Sequence, residues 1–185
     1  PSSSASSCSR SAEMAHAGRV LAVEHRAGGN RIKWKYDVQA LDYHVYLPIF
    51  CDGLREVDDP FRFLAVQGTI DMILSAPEKV LAVVPQVVMP LKAALSTRDP
   101  TIICPTLKIL CLMVRKNPTI GVALVPYYRQ LLPIFNQFKS QNWNLGDTID
   151  YSQKQRLNVG ELIAETLQIF EANGGPDAFI NIKYM

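Results

Sequence analysis

Beyond residue 41, apolar side chains recur at intervals of three and four. Ile103, Leu107, Leu110 and Val114 make one such stripe, and Leu162, Thr166, Leu167 and Phe170 another. That period places the stripe on one face of a helix, with the polar positions between them turned to water. With Pro, Gly, Asn and Asp marking the breaks, the pattern predicts helices over roughly 42–54, 60–75, 77–96, 100–116, 118–139 and 155–173, paired as three hairpins. Upstream the period changes. "RIKWKYDV", Arg31 to Val38, alternates apolar Ile32, Trp34, Tyr36 and Val38 with charged Lys33, Lys35 and Asp37, so an extended segment is expected there. It is expected to lie along the first hairpin with one face packed and its basic face free. "SQNWNLGDTIDYSQ", Ser140 to Gln153, is rich in Asn, Asp, Gly and Ser and predicts a long loop.

Prolines interrupt the apolar runs at regular places. Pro48 in "YLPIF", Pro90 in "VMPLK" and Pro133 in "LLPIF" are spaced by 42 and 43 residues. A proline inside a helix costs about 3 kcal/mol, so three in register need a reason. A second set marks predicted helix starts: Pro60 and Pro100 follow Asp59 and Asp99, and Pro118 follows Asn117, while Pro77 lies 41 residues before Pro118. An Asp or Asn oxygen accepts from an orphan backbone N–H, and proline at the first helical position has no N–H to lose. A helix pair repeating every 40 or so residues is the period of HEAT and armadillo units. The stretch from Met89 to Leu110 resembles the HEAT pattern, although Ile102 and Ile103 stand where such repeats commonly carry arginine. The expected fold is all-α: a HEAT/armadillo-like α-solenoid of about three helical hairpins with a mostly extended N-terminal arm.

Composition narrows the class without changing that picture. The 185 residues are 48% hydrophobic and 19% charged, which suits a globular chain. The most apolar stretch, Val80 to Leu91, contains two prolines and a glutamine and falls short of the roughly 20 residues a bilayer span needs. The opening "PSSSASSCSRSAEMAHAG" is Ser- and Ala-rich; a solvated tail is expected, with a transit peptide as the alternative. Residues 1–35 hold six basic groups against Glu13 and Glu24, a net +4 that leaves −2 on the rest of a chain whose total is +2. A basic arm on a mildly acidic body suits an acidic partner, or simply keeps the chain soluble. The organisation expected is a tail over residues 1–18, a basic and partly extended arm over 19–40, and a helical domain over 41–185.

Catalytic chemistry has few parts to work with. His16, His25 and His44 form no HExxH, and neither GxSxG, a Walker lysine loop nor GxGxxG is present. Cys8, Cys51, Cys104 and Cys111 show no CxxC spacing. Cys104 and Cys111, two turns apart on one predicted helix, are too distant to be bridged. Buried, reduced thiols are expected, and no enzyme activity, metal or cofactor. Gly28–Gly29 and Gly174–Gly175 read as turn and helix-stop residues.

Four longer stretches are distinctive. "LDYHVYLPIF" (Leu41 to Phe50), "ALVPYYRQLLPIFNQF" (Ala123 to Phe138), "IDYSQ" (Ile149 to Gln153) and "GGPDAFINIKY" (Gly174 to Tyr184) closely resemble the Parkin co-regulated protein family, from about Leu21 to the end of the chain. The resemblance implies a helical structural protein of the ciliary and flagellar axoneme. Its expected place is the inner junction of the doublet microtubule, bridging A- and B-tubule protofilaments. The partners implied are α/β-tubulin, a small β-rich cilia-associated junction protein and other axonemal proteins, with no nucleic acid and no membrane. "GNRIKWKYD" (Gly29 to Asp37) matches the family's partner-facing stretch, so Arg26, Arg31, Lys33, Trp34 and Lys35 are the candidate protein-binding residues. Trp34 reads equally as a core aromatic. Gln39 and Ser75 stand where animal members carry more charged or titratable residues, a departure from the animal adaptor interface. The alternative function is a soluble HEAT-type adaptor that binds a small protein or peptide without staying on microtubules.

Overall fold

The computed structural model describes residues 21–26, 29–138 and 159–184, which are predominantly helical. The expected loop over 140–153 and the tail over 1–18 lie outside the described residues. Contacts divide the chain into two compact units, Pro1–Ala93 and Ala94–Met185.

The first unit opens with an antiparallel hairpin of β1 (Leu21–Arg26) and β2 (Gly29–Trp34), in which Leu21 pairs with Trp34 and Arg26 with Gly29. The alternating stretch is therefore a strand only as far as Trp34. Asp37 then accepts from the Gln39 N–H at 3.0 Å and caps a short 3-10 turn over Val38–Ala40. Helix α1 (Tyr43–Asp52) packs against α2 (Phe61–Ser75), and α3 (Pro77–Leu95) follows. Phe50, Cys51, Met72 and Ile73 are fully enclosed. Gly68 makes the α1–α2 approach possible: a Cβ there would stand 2.8 Å from a carbon of the Phe50 ring. On α3, Val80, Val83, Val84, Val87, Val88 and Leu91 form a continuous buried stripe.

In the second unit α4 (Pro100–Lys116) packs chiefly against α7 (Val159–Asn173). Asp99 caps α4 as the sequence predicts, accepting from the Thr101 N–H at 2.8 Å and from its hydroxyl at 2.7 Å. Ile103, Leu107, Leu110 and Val114 are all buried. The helix predicted over 118–139 is broken into α5 (Thr119–Leu124) and α6 (Tyr128–Phe138) by a 3-10 turn over Val125–Tyr127 that contains Pro126. Between α4 and α7, the Cys111 thiol and Thr166 hydroxyl lie 3.2 Å apart, while Arg115 reaches Glu165 at 2.5 Å.

Two further expectations need correction. Asp59 does not cap α2: the flanking position is Pro60, without a side-chain cap, and Arg62 and Leu64 instead donate to the carbonyls of Asp58 and Pro60. The segment after Gly174 is not merely a helix stop. Gly175, at φ 73°, ends α7 by turning the chain and begins α8 (Gly175–Lys183), which packs back on α7. Bare Gly174 permits that return, since a Cβ on it would come within 2.4 Å of Ala178.

The internal prolines lie inside their helices, and none of them is among the buried residues. Pro85 and Pro133 are exposed, and Pro48, Pro90 and Pro105 are partly buried. A proline removes the donor for the carbonyl four residues earlier. For Pro48, Pro90 and Pro133 those carbonyls belong to His44, Gln86 and Arg129, all exposed residues that water can reach. These three prolines thus fall where water can replace the missing hydrogen bond, so its loss costs least.

Candidate functional site

Trp34 ends β2 half-buried, and its indole is held from two sides. Its edge meets the Phe50 ring at a centroid distance of 5.9 Å and 69°, a favourable T-shaped contact. Its Nε1–H donates to Asp71 Oδ2 at 3.0 Å, while the other oxygen of Asp71 accepts from Gln67 Nε2 at 2.8 Å. Trp34 is thus anchored to the α1–α2 pair and remains partly exposed.

Following Trp34, the chain is tied down along the same pair. The Gln39 side chain donates to the Ser75 carbonyl at 3.1 Å, and Lys79 Nζ donates to the Gln39 carbonyl at 2.5 Å. The Lys79 ammonium also stands 5.6 Å from the centre of the Tyr43 ring. The Tyr43 hydroxyl donates to the Met72 carbonyl at 2.9 Å. Burial, with the negative charges of Glu78 and Asp37 adding to it, pushes that phenol up to about 12. Gln39 and Ser75, singled out separately in the sequence, are thus one contact.

On this secured strap Lys33, Lys35 and Tyr36 are exposed, with Tyr36 at 64%. Lys33 alternates with Ile32 and Trp34 at the end of β2, so it is exposed on one face while the other two are part-buried on the opposite face. The strand register brings Arg31 opposite Glu24 and Arg26 opposite Gly29. Lys33 and Lys35 are thus exposed on either side of the part-buried Trp34 in the chain, while the side chains of Arg26 and Arg31 lie outside the described residues. Sequence reading missed Asp71 and Gln67. They sit 37 and 33 residues from Trp34, and no local signal in α2 distinguishes a pinning carboxylate from a solvated one.

The thiols are placed for packing. Cys51, Cys104 and Cys111 are buried and unbridged. Burial pushes the Cys51 thiol up to about 12 and raises the other two, the reverse of what a reactive thiolate needs. Among the described residues no group of three His, Cys, Asp or Glu side chains is arranged to hold a metal, and no single helix is long and apolar enough to cross a membrane.

Residues 15–185 match the family model for Parkin co-regulated protein. Over 165 residues the chain is 53% identical to the mouse (Mus musculus) Parkin coregulated gene protein homolog, an alignment that covers 89% of this chain and 68% of the relative. The helical units built around the "LPIF" prolines are accordingly those of a protein that belongs to the Parkin co-regulated protein family.

Proposed function

We propose that this chain is a non-catalytic structural protein of the ciliary doublet microtubule, bridging A- and B-tubule protofilaments at the inner junction beside a small β-rich partner. The observation that carries the reading is the anchored strap. Lys33 and Lys35 flank a tryptophan fixed by Asp71, which gives a basic edge with little left to order on binding. Such an edge suits the acidic exterior of α/β-tubulin, and the half-exposed Trp34 suits a protein contact of the kind that concentrates binding energy. The pairing of α1 with α2, and of α6 and α4 with α7, supports HEAT/armadillo-type hairpins within each unit.

Co-sedimentation with purified doublets or microtubules tests the proposal. The full chain, alone or with the junction partner, is expected to pellet at low salt and to be released as salt rises. Removing residues 1–35, or changing Lys33→Glu with Lys35→Glu, should weaken pelleting and flatten the salt response. If neither the chain nor its complex pellets, the reading is wrong. In cells, retention of the tagged protein on detergent-extracted axonemes is the matching outcome, and a wholly soluble pool favours the adaptor alternative.

A further inference from the structure

A groove of about 310 Å³ lies in the second unit, lined by Tyr128, Arg129, Leu132, Pro133, Asn136 and Asn181. Arg129, Pro133 and Asn136 recur at four- and three-residue steps along α6, and Asn181 comes from α8. The Tyr128 ring, stacked on Phe170 at 5.3 Å, is held fully buried. The groove's volume is at the small end for a ligand site, enough for a short stretch of side chains and main chain.

Its chemistry is uneven in an informative way. Among the described residues of the lining Arg129 alone carries a full charge, and no carboxylate is among the six. Its guanidinium makes no ion pair among the described residues and is exposed. Pro133 adds an acceptor: having no N–H, it leaves the Arg129 carbonyl without its ordinary helical donor. Asn181 donates from Nδ2 to the Asp177 carbonyl at 2.7 Å, so its Oδ1 is left to accept. One cation, two acceptor oxygens and an apolar floor from Leu132 and Pro133 thus stand together.

We infer that this groove binds an extended acidic peptide segment of a partner protein. A carboxylate of the segment pairs with Arg129, its main-chain N–H groups donate to the Arg129 carbonyl and Asn181 Oδ1, and an adjacent aliphatic side chain covers Leu132 and Pro133. The "LLPIF" proline then has a role beyond tolerating a helix defect: it exposes an acceptor beside the cation. This groove belongs to the second unit and the Lys33–Lys35 edge to the first, and peptide binding here does not depend on the tubulin reading.

The test titrates the isotope-labelled full chain with a short peptide of alternating Glu and Val, and with its Gln-for-Glu counterpart, followed by nuclear magnetic resonance. The acidic peptide should move the Asn136 and Asn181 side-chain amide signals and bind about tenfold more tightly than the Gln peptide at low salt. Arg129→Glu, at an exposed position, should remove that preference. Pro133→Ala, which returns an N–H to the helix, should weaken binding severalfold while leaving the Glu-over-Gln preference in place. Lys33→Glu with Lys35→Glu should change neither. Equal binding of the two peptides, no binding, or shifts confined to the Trp34 strap would each overturn the inference.

Discussion

Trp34 and Asp71, 37 residues apart, meet through an indole-to-carboxylate hydrogen bond of 3.0 Å. This contact fastens the end of the hairpin to the middle of α2. A hydrogen bond to a charged acceptor contributes roughly 1.5–3 kcal/mol when shielded and less where water competes. Trp34→Phe keeps an aromatic ring near Phe50 but deletes the donor and part of the ring volume, so it should lower unfolding stability by at least about 1 kcal/mol in urea titration. Asp71→Ala should cost more, since Gln67 also loses its partner. In the double variant the losses should fall short of additive.

Asp99 and Asp59 both precede a proline, yet only Asp99 caps a helix. Asp99→Ala should cost about 1 kcal/mol, the usual value of a lost N-cap. Asp59→Ala should change stability by less than about 0.5 kcal/mol, because its remaining partner is Arg62 at 3.6 Å on an exposed surface. Equal effects in thermal melts would contradict the cap assignment.

Gly68 and Gly121 are helical glycines whose replacement by alanine would ordinarily favour the helix by about 1 kcal/mol. Here the added methyl has no room. At Gly68 it meets the enclosed Phe50 ring at 2.8 Å, and at Gly121 the Asn173 carbonyl oxygen at 2.7 Å. Both substitutions should therefore destabilise, by about 1–3 kcal/mol. Gly121→Ala should be the worse, since its neighbour is backbone rather than a side chain.

Tyr128 carries a buried hydroxyl with no hydrogen-bond partner among the described residues, and burial raises its pKa. Tyr128→Phe keeps the stacking on Phe170 and removes the unpaired group. It should be neutral or stabilise by up to about 1 kcal/mol in urea titration, because an unsatisfied buried donor is a cost. A clear loss of stability would reveal a partner for the hydroxyl.

Alkali should weaken the first unit through Tyr43 and Cys51. Their pKa values rise from 10.0 and 9.0 in the unfolded range to about 12 when folded. The folded state therefore holds these protons more tightly, and its advantage is complete below about pH 9. As pH climbs from there to about 12 the advantage is lost, at no more than about 1.4 kcal/mol per pH unit for each group. Urea titrations at a series of pH values should show this slope. Tyr43→Phe or Cys51→Ala should each make it shallower while lowering stability at neutral pH.

Much of the helical framework was legible because its causes are local. The α4 stripe and the Asp99–Pro100 start depend on neighbours within a turn or two, and both were found where the sequence places them. Helix α8 was not legible: Gly-Gly-Pro looks like a stop until Ala178 is seen packed where Gly174 has no side chain. Trp34 was legible as a candidate but ambiguous in role, and Arg129 was not singled out at all. An arginine on the polar face of a helix becomes notable only when an asparagine from another helix closes a groove beside it.

The sequence by itself determined the helix periods, most of their ends and the regular spacing of Pro48, Pro90 and Pro133, all consequences of backbone geometry over a few residues. Tertiary structure alone decided which distant groups meet, Trp34 with Asp71, Gln39 with Ser75 and Cys111 with Thr166, and that Arg129 and Asn181 line one groove. The physical reason is that such pairs have no energy of their own until apolar faces have packed. The burial that drives packing is non-directional, and it carries the polar side chains into contacts that no local pattern encodes.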